Sequence, residues 1–360
     1  MSDTSCGPSC CGSQNANSGV SIQASLDAGW ISGYMATTVG LVPTISTDLD
    51  RSDRLGAVKV RWGIGRMNYQ IPAGIYAVGQ PETSSPVLVT ANYKLTFDSL
   101  RSQLKDLNAW IMVLDTKGIN VWCAAGKGTF GTAELINRIR LTRLDQIVSH
   151  NKLILPQLAA AGVAAHIVKE VTGFNIKYGP VYAHDLPEYF QNQSRIKPEM
   201  RRVRFPLRNR LALIPMELVP ALKYIPVFLL WLVIIQFLRD RHLSLSILTE
   251  FVPYFAAVLS GSVFFQILLP WLPFRSFIVN GWLLAAALIV TTGVWTGTNV
   301  QSLLPLLFIL PPVSAYLAVN FTGSTTFTSL SGVKKELAWG LPLIIGSIIV
   351  GMVIQIVMVV

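Results

Sequence analysis

The stretch INVWCAAGKGTFGT, residues 119–132, holds one cysteine, with tryptophan before it and small and glycine residues after it. The other three cysteines, Cys6, Cys10 and Cys11, sit together in CGPSCCG more than a hundred residues away. Cys123 therefore has no sequence neighbour to pair with. A phosphate loop would need a glycine five residues ahead of Gly-Lys and then Ser or Thr, and Val121 and Gly128 stand at those positions. A zinc or iron–sulfur cage needs four Cys or His ligands at short spacings, and His150 and His166 follow at distances that suit none. A nucleophile with a histidine distant in sequence stays open, as does a buried, inert thiol. Gly126, Gly128 and Gly131 weigh against the inert thiol, because a backbone that approaches a large flat cofactor needs such residues. A lone thiolate is also what an axial ligand to a macrocycle's metal looks like, since soft sulfur donates electron density to the metal.

The elements around this motif read as alternating strands and helices. VKVRWGIGRMNY (58–69) and GIYAVG (74–79) have the pattern of short strands, and PVLVTANY (86–93) and AWIMVLDT (109–116) that of buried strands. Phe97, Leu100, Leu104 and Leu107 recur at helical spacing in 96–107, and 132–148 reads as a second helix. Segments 152–158, 164–173 and 175–190 continue the alternation. The expected fold is a parallel α/β sheet of Rossmann type, with ligands at the C-terminal ends of its strands. The loops after 86–91 and 109–115 then matter most, and the second leads to Cys123. Residues 1–55 are rich in Ser, Thr, Gly and Asn without periodicity and are expected to form a mobile tail.

The chain has 360 residues, 51% hydrophobic and only 13% charged, and the apolar excess lies after about residue 211. A bilayer core needs about 20 helical residues. Five spans are expected, near Glu217–Leu238, Phe251–Leu272, Phe277–Trp295, Leu303–Phe321 and Leu337–Val360, giving an all-α membrane domain over 213–360. SRIKPEMRRVRFPLRNR (194–210) carries seven basic residues against Glu199, so 193–212 reads as a basic juxtamembrane linker touching anionic lipid, with no role in binding nucleic acid. No basic flank followed by an apolar core opens the chain. The expectation is a multi-pass protein of the cytoplasmic membrane with its N-terminal half in the cytoplasm. Lys334 and Lys335 agree with that orientation, while Arg239 and Arg241 fall on the outer side.

NVWCAAGKG (120–128) resembles the signature of the HgcA family, the membrane-bound corrinoid proteins of microbial mercury methylation. PAGIYAVGQPETSSPVLVTANYKLTFDSLR (72–101) is similar to that family and to the corrinoid domain of the corrinoid iron–sulfur protein of acetyl-CoA synthesis. The similarity continues through KLILPQLAAAGVAAHI (152–167) to YGPVYAHDLPEYF (178–190) and covers most of a corrinoid-binding domain over 56–192. The resemblance implies that Cys123, on a cap helix below the corrin, ligates cobalt from the lower side. Asn120, Val121, Trp122, Ala124, Ala125, Gly126, Lys127 and Gly128 would shape that cap. Thr90 and Asn92 would lie on the facing strand-end loop, and Gly179 and Pro180 would border the nucleotide tail or corrin edge.

The implied reaction is methyl transfer from cobalt to Hg(II), the methyl group coming from a folate-dependent donor. Hg(II) is an electrophile, so the methyl must leave as a carbanion or radical equivalent, which electron push from the Cys123 thiolate favours. Four cysteines in two distant places supply no conventional cluster, so cobalt would be re-reduced by a separate ferredoxin. The family's partner is the two-cluster (4Fe–4S) ferredoxin HgcB, which is also thought to deliver Hg(II) through cysteine. Cys10 and Cys11 are candidate Hg(II) ligands, with a merely reducible tail as the plainer reading. Two other functions stay open: a membrane-tethered corrinoid methyl carrier of one-carbon metabolism, and a transporter with a corrinoid-binding sensor.

Overall fold

The computed structural model describes residues 28–297, 299–321, 327, 328 and 330–359. Cys6, Cys10 and Cys11 lie outside the described residues. The chain divides into an α/β unit, Met1–Leu55 with Met67–Arg202, and a helical unit, Gly56–Arg66 with Val203–Val360.

The α/β unit is built on β1 (Ile31–Thr37), β2 (Gly40–Ile45), β3 (Gly74–Val78), β4 (Val87–Ala91), β5 (Ala109–Leu114), β6 (Lys152–Leu155) and β7 (Asn175–Tyr178). These form one sheet in the order β1-β2-β3-β5-β4-β6-β7. β5, β4, β6 and β7 are mutually parallel, as expected. β3 runs antiparallel to β5, and β1 and β2 form an antiparallel pair, so the sheet is mixed.

Every residue of β4 and β5 is buried, because helices cover both faces of the sheet. Trp110, Met112 and Leu114 point into one core with Val87 and Val89, and Ile111 and Val113 into the other with Leu88. α2 (Lys94–Arg101) and α7 (Leu186–Gln191) cover the second core through Phe97, Leu100, Leu186 and Tyr189. α3 (Val121–Lys127), α4 (Thr132–Leu141), α5 (Leu144–Ile147) and α6 (Ala165–Thr172) lie on the first. The expected helix 132–148 is thus broken, with Arg143 in the left-handed region between α4 and α5.

Three expectations are corrected. Residues 31–45, assigned to the tail, form a hairpin whose Val42 and Ile45 are buried in the two cores. Residues 58–69, expected to be a short strand, instead continue α1 (Arg51–Arg61) into a short 3₁₀ turn. A capping box starts that helix: Asp53 N donates to Asp50 Oδ1 at 2.7 Å and Asp50 N to Asp53 Oδ2 at 3.2 Å. The expected linker, finally, begins too early. Pro198–Arg201 packs with the α/β unit, where Met200 is buried and its carbonyl accepts from Val181 N.

A buried charge network holds α1 and α2 to the loop after β2. Arg101, with no exposed surface, donates through Nε to Asp98 Oδ1 (2.8 Å) and through Nη2 to Asp53 Oδ2 (2.5 Å). Its Nη1 donates to the Ser46 and Asp48 carbonyls, and Lys94 Nζ bridges Asp53 and Asp98. Burial by itself would raise the Asp53 carboxyl; the hydrogen bonds from Lys94 and Arg101 outweigh it and hold the group below its ordinary value.

Among the described residues of the helical unit, four helices are long and apolar enough to cross a membrane: Ile247–Trp271, Phe277–Trp295, Val300–Asn320 and Ser331–Val357. They contain α11 (Ile247–Leu259), α12 (Phe265–Leu268), α13 (Phe277–Thr296), α14 (Val300–Asn320) and α15 (Leu330–Val357). The expected first span is a pair bent by 42°, Leu207–Leu222 with Ile225–Asp240, and makes a fifth crossing only if the two arms count as one. The arms comprise α8 (Leu207–Leu211) and α9 (Ile214–Leu222), then α10 (Ile225–Asp240). Pro226, near the start of α10, cannot donate a hydrogen bond across the break. Glu336 on α15 accepts from Phe277 N (2.9 Å) and Ile278 N (3.2 Å), capping α13 from another helix.

Candidate functional site

The loops after β4 and β5 leave the sheet toward opposite faces, one into α2 and the other into α3. Such a divergence opens a crevice at the C-terminal edge of a parallel sheet. Asn92 spans it. Its Oδ1 accepts from Thr116 N (3.1 Å) and Gly118 N (3.0 Å), and the Thr116 hydroxyl lies 2.8 Å away. Its Nδ2 donates to Asp115 Oδ1 at 3.2 Å. Lys117 and Gly118 both take positive φ, 56° and 69°, so the chain reverses within two residues. The side chain expected beside a ligand is therefore committed to shaping the loop that carries α3. Thr90, one register away on β4, is buried.

Asn120 starts α3: its side chain accepts from Cys123 N at 2.9 Å, and its carbonyl accepts from Ala124 N. Gly128, at φ 81°, ends the helix after two turns. At 100° per residue, Val121, Ala124 and Ala125 share one arc and are buried in the core. Trp122, Cys123, Gly126 and Lys127 share the other. Trp122, Gly126 and Lys127 are exposed and Cys123 is half-buried.

The four glycines near Cys123 do different work. A Cβ on Gly162 would meet the Phe130 carbonyl oxygen at 2.3 Å and Ala125 Cα at 3.0 Å, so the loop after β6 presses its backbone directly onto α3. A Cβ on Gly131 would meet the Gly128 carbonyl oxygen at 2.6 Å. Gly126 and Gly128 face open space. Close packing inside the protein explains Gly131 and Gly162, whereas Gly126 lies on the arc that Cys123 shares and Gly128 serves as the left-handed end of the helix.

Gly179 and Pro180 are buried one layer further away. Gly179 N donates to the Leu155 carbonyl at 2.7 Å, and the Pro180 carbonyl accepts from Gln157 N at 3.4 Å. They support the 3₁₀ turn Gln157–Ala161, which packs against α3. Tyr178 steadies the same loop by donating to the Val163 carbonyl at 2.8 Å, and burial pushes its phenol up. Sequence reasoning missed Thr116, Gly162 and Gln157. Asp-Thr-Lys-Gly is a turn signal that pointed to the first, whereas nothing local marks the other two. Gln157 Oε1 is buried with no hydrogen-bond partner.

The nucleophile alternative loses its histidines. His150 precedes β6, at the opposite sheet edge from α3, where its Nε2 lies 2.8 Å from the Ser85 carbonyl. Among the described residues no histidine hydrogen-bonds to Cys123, and no three His, Cys, Asp or Glu side chains converge as a metal cage requires. Cys123 offers one soft donor on an open face.

Residues 65–189 match the family CO dehydrogenase/acetyl-CoA synthase delta subunit. The acetyl-CoA decarbonylase/synthase complex subunit gamma of Methanopyrus kandleri is 30% identical over 132 residues, 36% of this chain and 28% of that protein. The subunit gamma of Archaeoglobus fulgidus is 30% identical over 118 residues, 32% of this chain and 25% of its own length. A subunit gamma 2 of Methanosarcina thermophila is 30% identical over 125 residues, 34% and 26% of the two chains. The chain spans about a quarter of each relative's length, and the family match over 65–189 leaves out both the β1–β2 hairpin and the apolar helices after residue 206. The matched stretch takes in β3 to β7 and the Cys123 helix, so this part of the α/β unit is similar to the CO dehydrogenase/acetyl-CoA synthase delta subunit family.

Proposed function

We propose that the α/β unit binds a corrinoid against the open face of α3, where Cys123 would hold the cobalt, and that the protein is a methyltransferase with Hg(II) as acceptor. The observation that carries this reading is the half-buried thiol of Cys123, with Trp122, Gly126 and Lys127 around it, at the diverging strand ends of a family domain. The residues fit the group. Gly126 and Gly128 leave room for a flat ring, and Gln157 Oε1 is an unpaired acceptor suited to the amide N–H groups at a corrin's edge.

When bound, a corrinoid supplies a metal that accepts a methyl group and passes it on. Asn120 fixes the first turn of α3 and so the direction of the sulfur. Val121, Ala124 and Ala125 seat the helix on the sheet, and Gly162 keeps it from lifting away from the 157–162 loop. With the group bound, the Cys123 sulfur would hold its metal and donate electron density to it, the property that transfer to an electrophile such as Hg(II) demands. Electrons for each new cycle come from a separate ferredoxin, for which HgcB is the candidate, and the methyl group from a folate-dependent donor.

A second reading has support of its own. The relatives are subunits of an acetyl-CoA decarbonylase/synthase complex, which favours a methyl carrier of one-carbon metabolism whose acceptor is a thiol or a metal site. A single-turnover assay separates the two. The full chain, loaded anaerobically with methylated corrinoid, is mixed with Hg(II), and methylmercury is followed by mass spectrometry. Wild type should transfer much faster than both Cys123→Ala and the free cofactor. Equal rates in all three would remove Hg(II) as the acceptor and leave the carrier reading. The visible spectrum of the loaded protein reads ligation separately, and Cys123→Ala should change it.

A further inference from the structure

Gly56–Arg66, which groups with the helical unit, contains Lys59, Arg61 and Arg66 and no acidic residue. It also leaves large apolar side chains in the open: Val58 is 51% exposed, Trp62 45% and Ile64 62%, while Val60 is buried. A water-facing segment has no use for this combination. A bilayer surface does, because apolar side chains and tryptophan enter the headgroup boundary while lysine and arginine meet anionic lipid.

The contacts of the segment place it at the right level. Arg66 Nη1 lies 2.8 Å from Met216 Sδ, within the helix Leu207–Leu222. Six residues before Met216 on that helix, about 9 Å by helical rise, is Arg210. The Arg210 guanidinium donates to the Gln266 and Ile267 carbonyls and stacks over Trp271. Trp271 is the last residue of the apolar span Ile247–Trp271 and is itself largely exposed. An arginine and a tryptophan at a span terminus mark the membrane boundary, and the Arg66 contact ties Gly56–Arg66 to that region.

We propose that Gly56–Arg66 is an interfacial membrane segment that lies on a bilayer surface rich in anionic lipid. Val58, Trp62 and Ile64 enter the headgroup boundary, and Lys59 and Arg61 face the lipid phosphates, while Arg66 holds the segment to Met216. The proposal does not depend on what the α/β unit binds.

The test uses the full chain in lipid nanodiscs made from phosphatidylcholine alone or mixed with phosphatidylglycerol. A spin-labelled noncanonical residue at position 62 or 64 reports depth, with position 170 on exposed α6 as the water reference. In the phosphatidylglycerol discs both labels should sit about 5–10 Å into the boundary. The double variant Lys59→Glu, Arg61→Glu should move them outward toward the water value, and phosphatidylcholine discs should hold them more shallowly. Labels as water-accessible as position 170 in anionic discs would overturn the proposal. So would labels equally shielded in both discs and in detergent, unmoved by charge reversal, since that result means protein covers the segment. The wild-type depths stand even if the variant fails to fold.

Discussion

The α/β and helical units both contain long apolar runs and treat them in opposite ways. In β5 the six residues from Ala109 to Leu114 are all buried, and the sheet is closed over on both faces. In Ser331–Val357 only 17% of the most apolar stretch is buried, and Leu343, Ile349 and Val353 are more than half exposed. Buried polar residues divide in the same way. The α/β unit buries charges that neutralise one another: Asp53, Lys94, Asp98 and Arg101. The helical unit hides mostly neutral groups, such as Gln236, Ser262 and Asn280, which bond to nearby side chains or backbone carbonyls. Water rewards turning apolar surface inward, whereas a hydrocarbon surrounding does not.

The largest effect expected from this contrast is at Arg101. Arg101→Met leaves the Asp53 and Asp98 carboxylates buried with Lys94 as their remaining cation, and should cost about 3–5 kcal/mol of α/β-unit stability, read by denaturant titration of local proteolytic susceptibility. Next comes a matched pair. Ile111→Ala, in the sheet core, should cost about 2–5 kcal/mol, while Ile349→Ala, on an outward face of α15, should stay within about 0.5 kcal/mol; equal costs would erase the distinction between the two surroundings. Asn92→Ala strands the buried Thr116 N and should cost about 1–3 kcal/mol. It should also lower occupancy by the proposed corrinoid while leaving the helical unit unchanged.

The smallest effect is a pH dependence confined to one unit. The folded Asp53 carboxyl titrates below its ordinary value of 3.8, so its stabilising contribution is complete above that pH and is lost as pH falls through the folded value. Hydrogen exchange between pH 7 and pH 3 should therefore loosen α1 and α2 as the acid end is reached, ahead of α13 and α14. Simultaneous loosening of both units would show that the charge network does not set the acid limit.

Much of this protein is legible in one dimension. A continuous run of Val, Ile, Leu and Met marks β4 and β5, because a strand covered on both faces needs no polar residue. Runs of about 20 apolar residues likewise mark the helices after residue 246. Cys123 stands out by residue type alone, as a lone thiol among glycines. Residues 58–69 misled for a reason of the same kind. Their alternation is real, but Asp50 and Asp53 close a helix cap just upstream, and the exposed members Val58, Trp62 and Ile64 are not a sheet face.

What the sequence determined by itself is therefore the class of surroundings each segment needs and the position of a cysteine set apart from the other three. Only the tertiary structure decided that residues 31–45 are a sheet edge, that Asn92 holds the loop before α3, and that Gly162 is required by the backbone of Ala125 and Phe130 while Gly126 lies open. Burial tendency is a property that each side chain carries along the chain. A hydrogen-bond partner or a backbone contact is a property of two segments, and it exists only once the fold has brought them together.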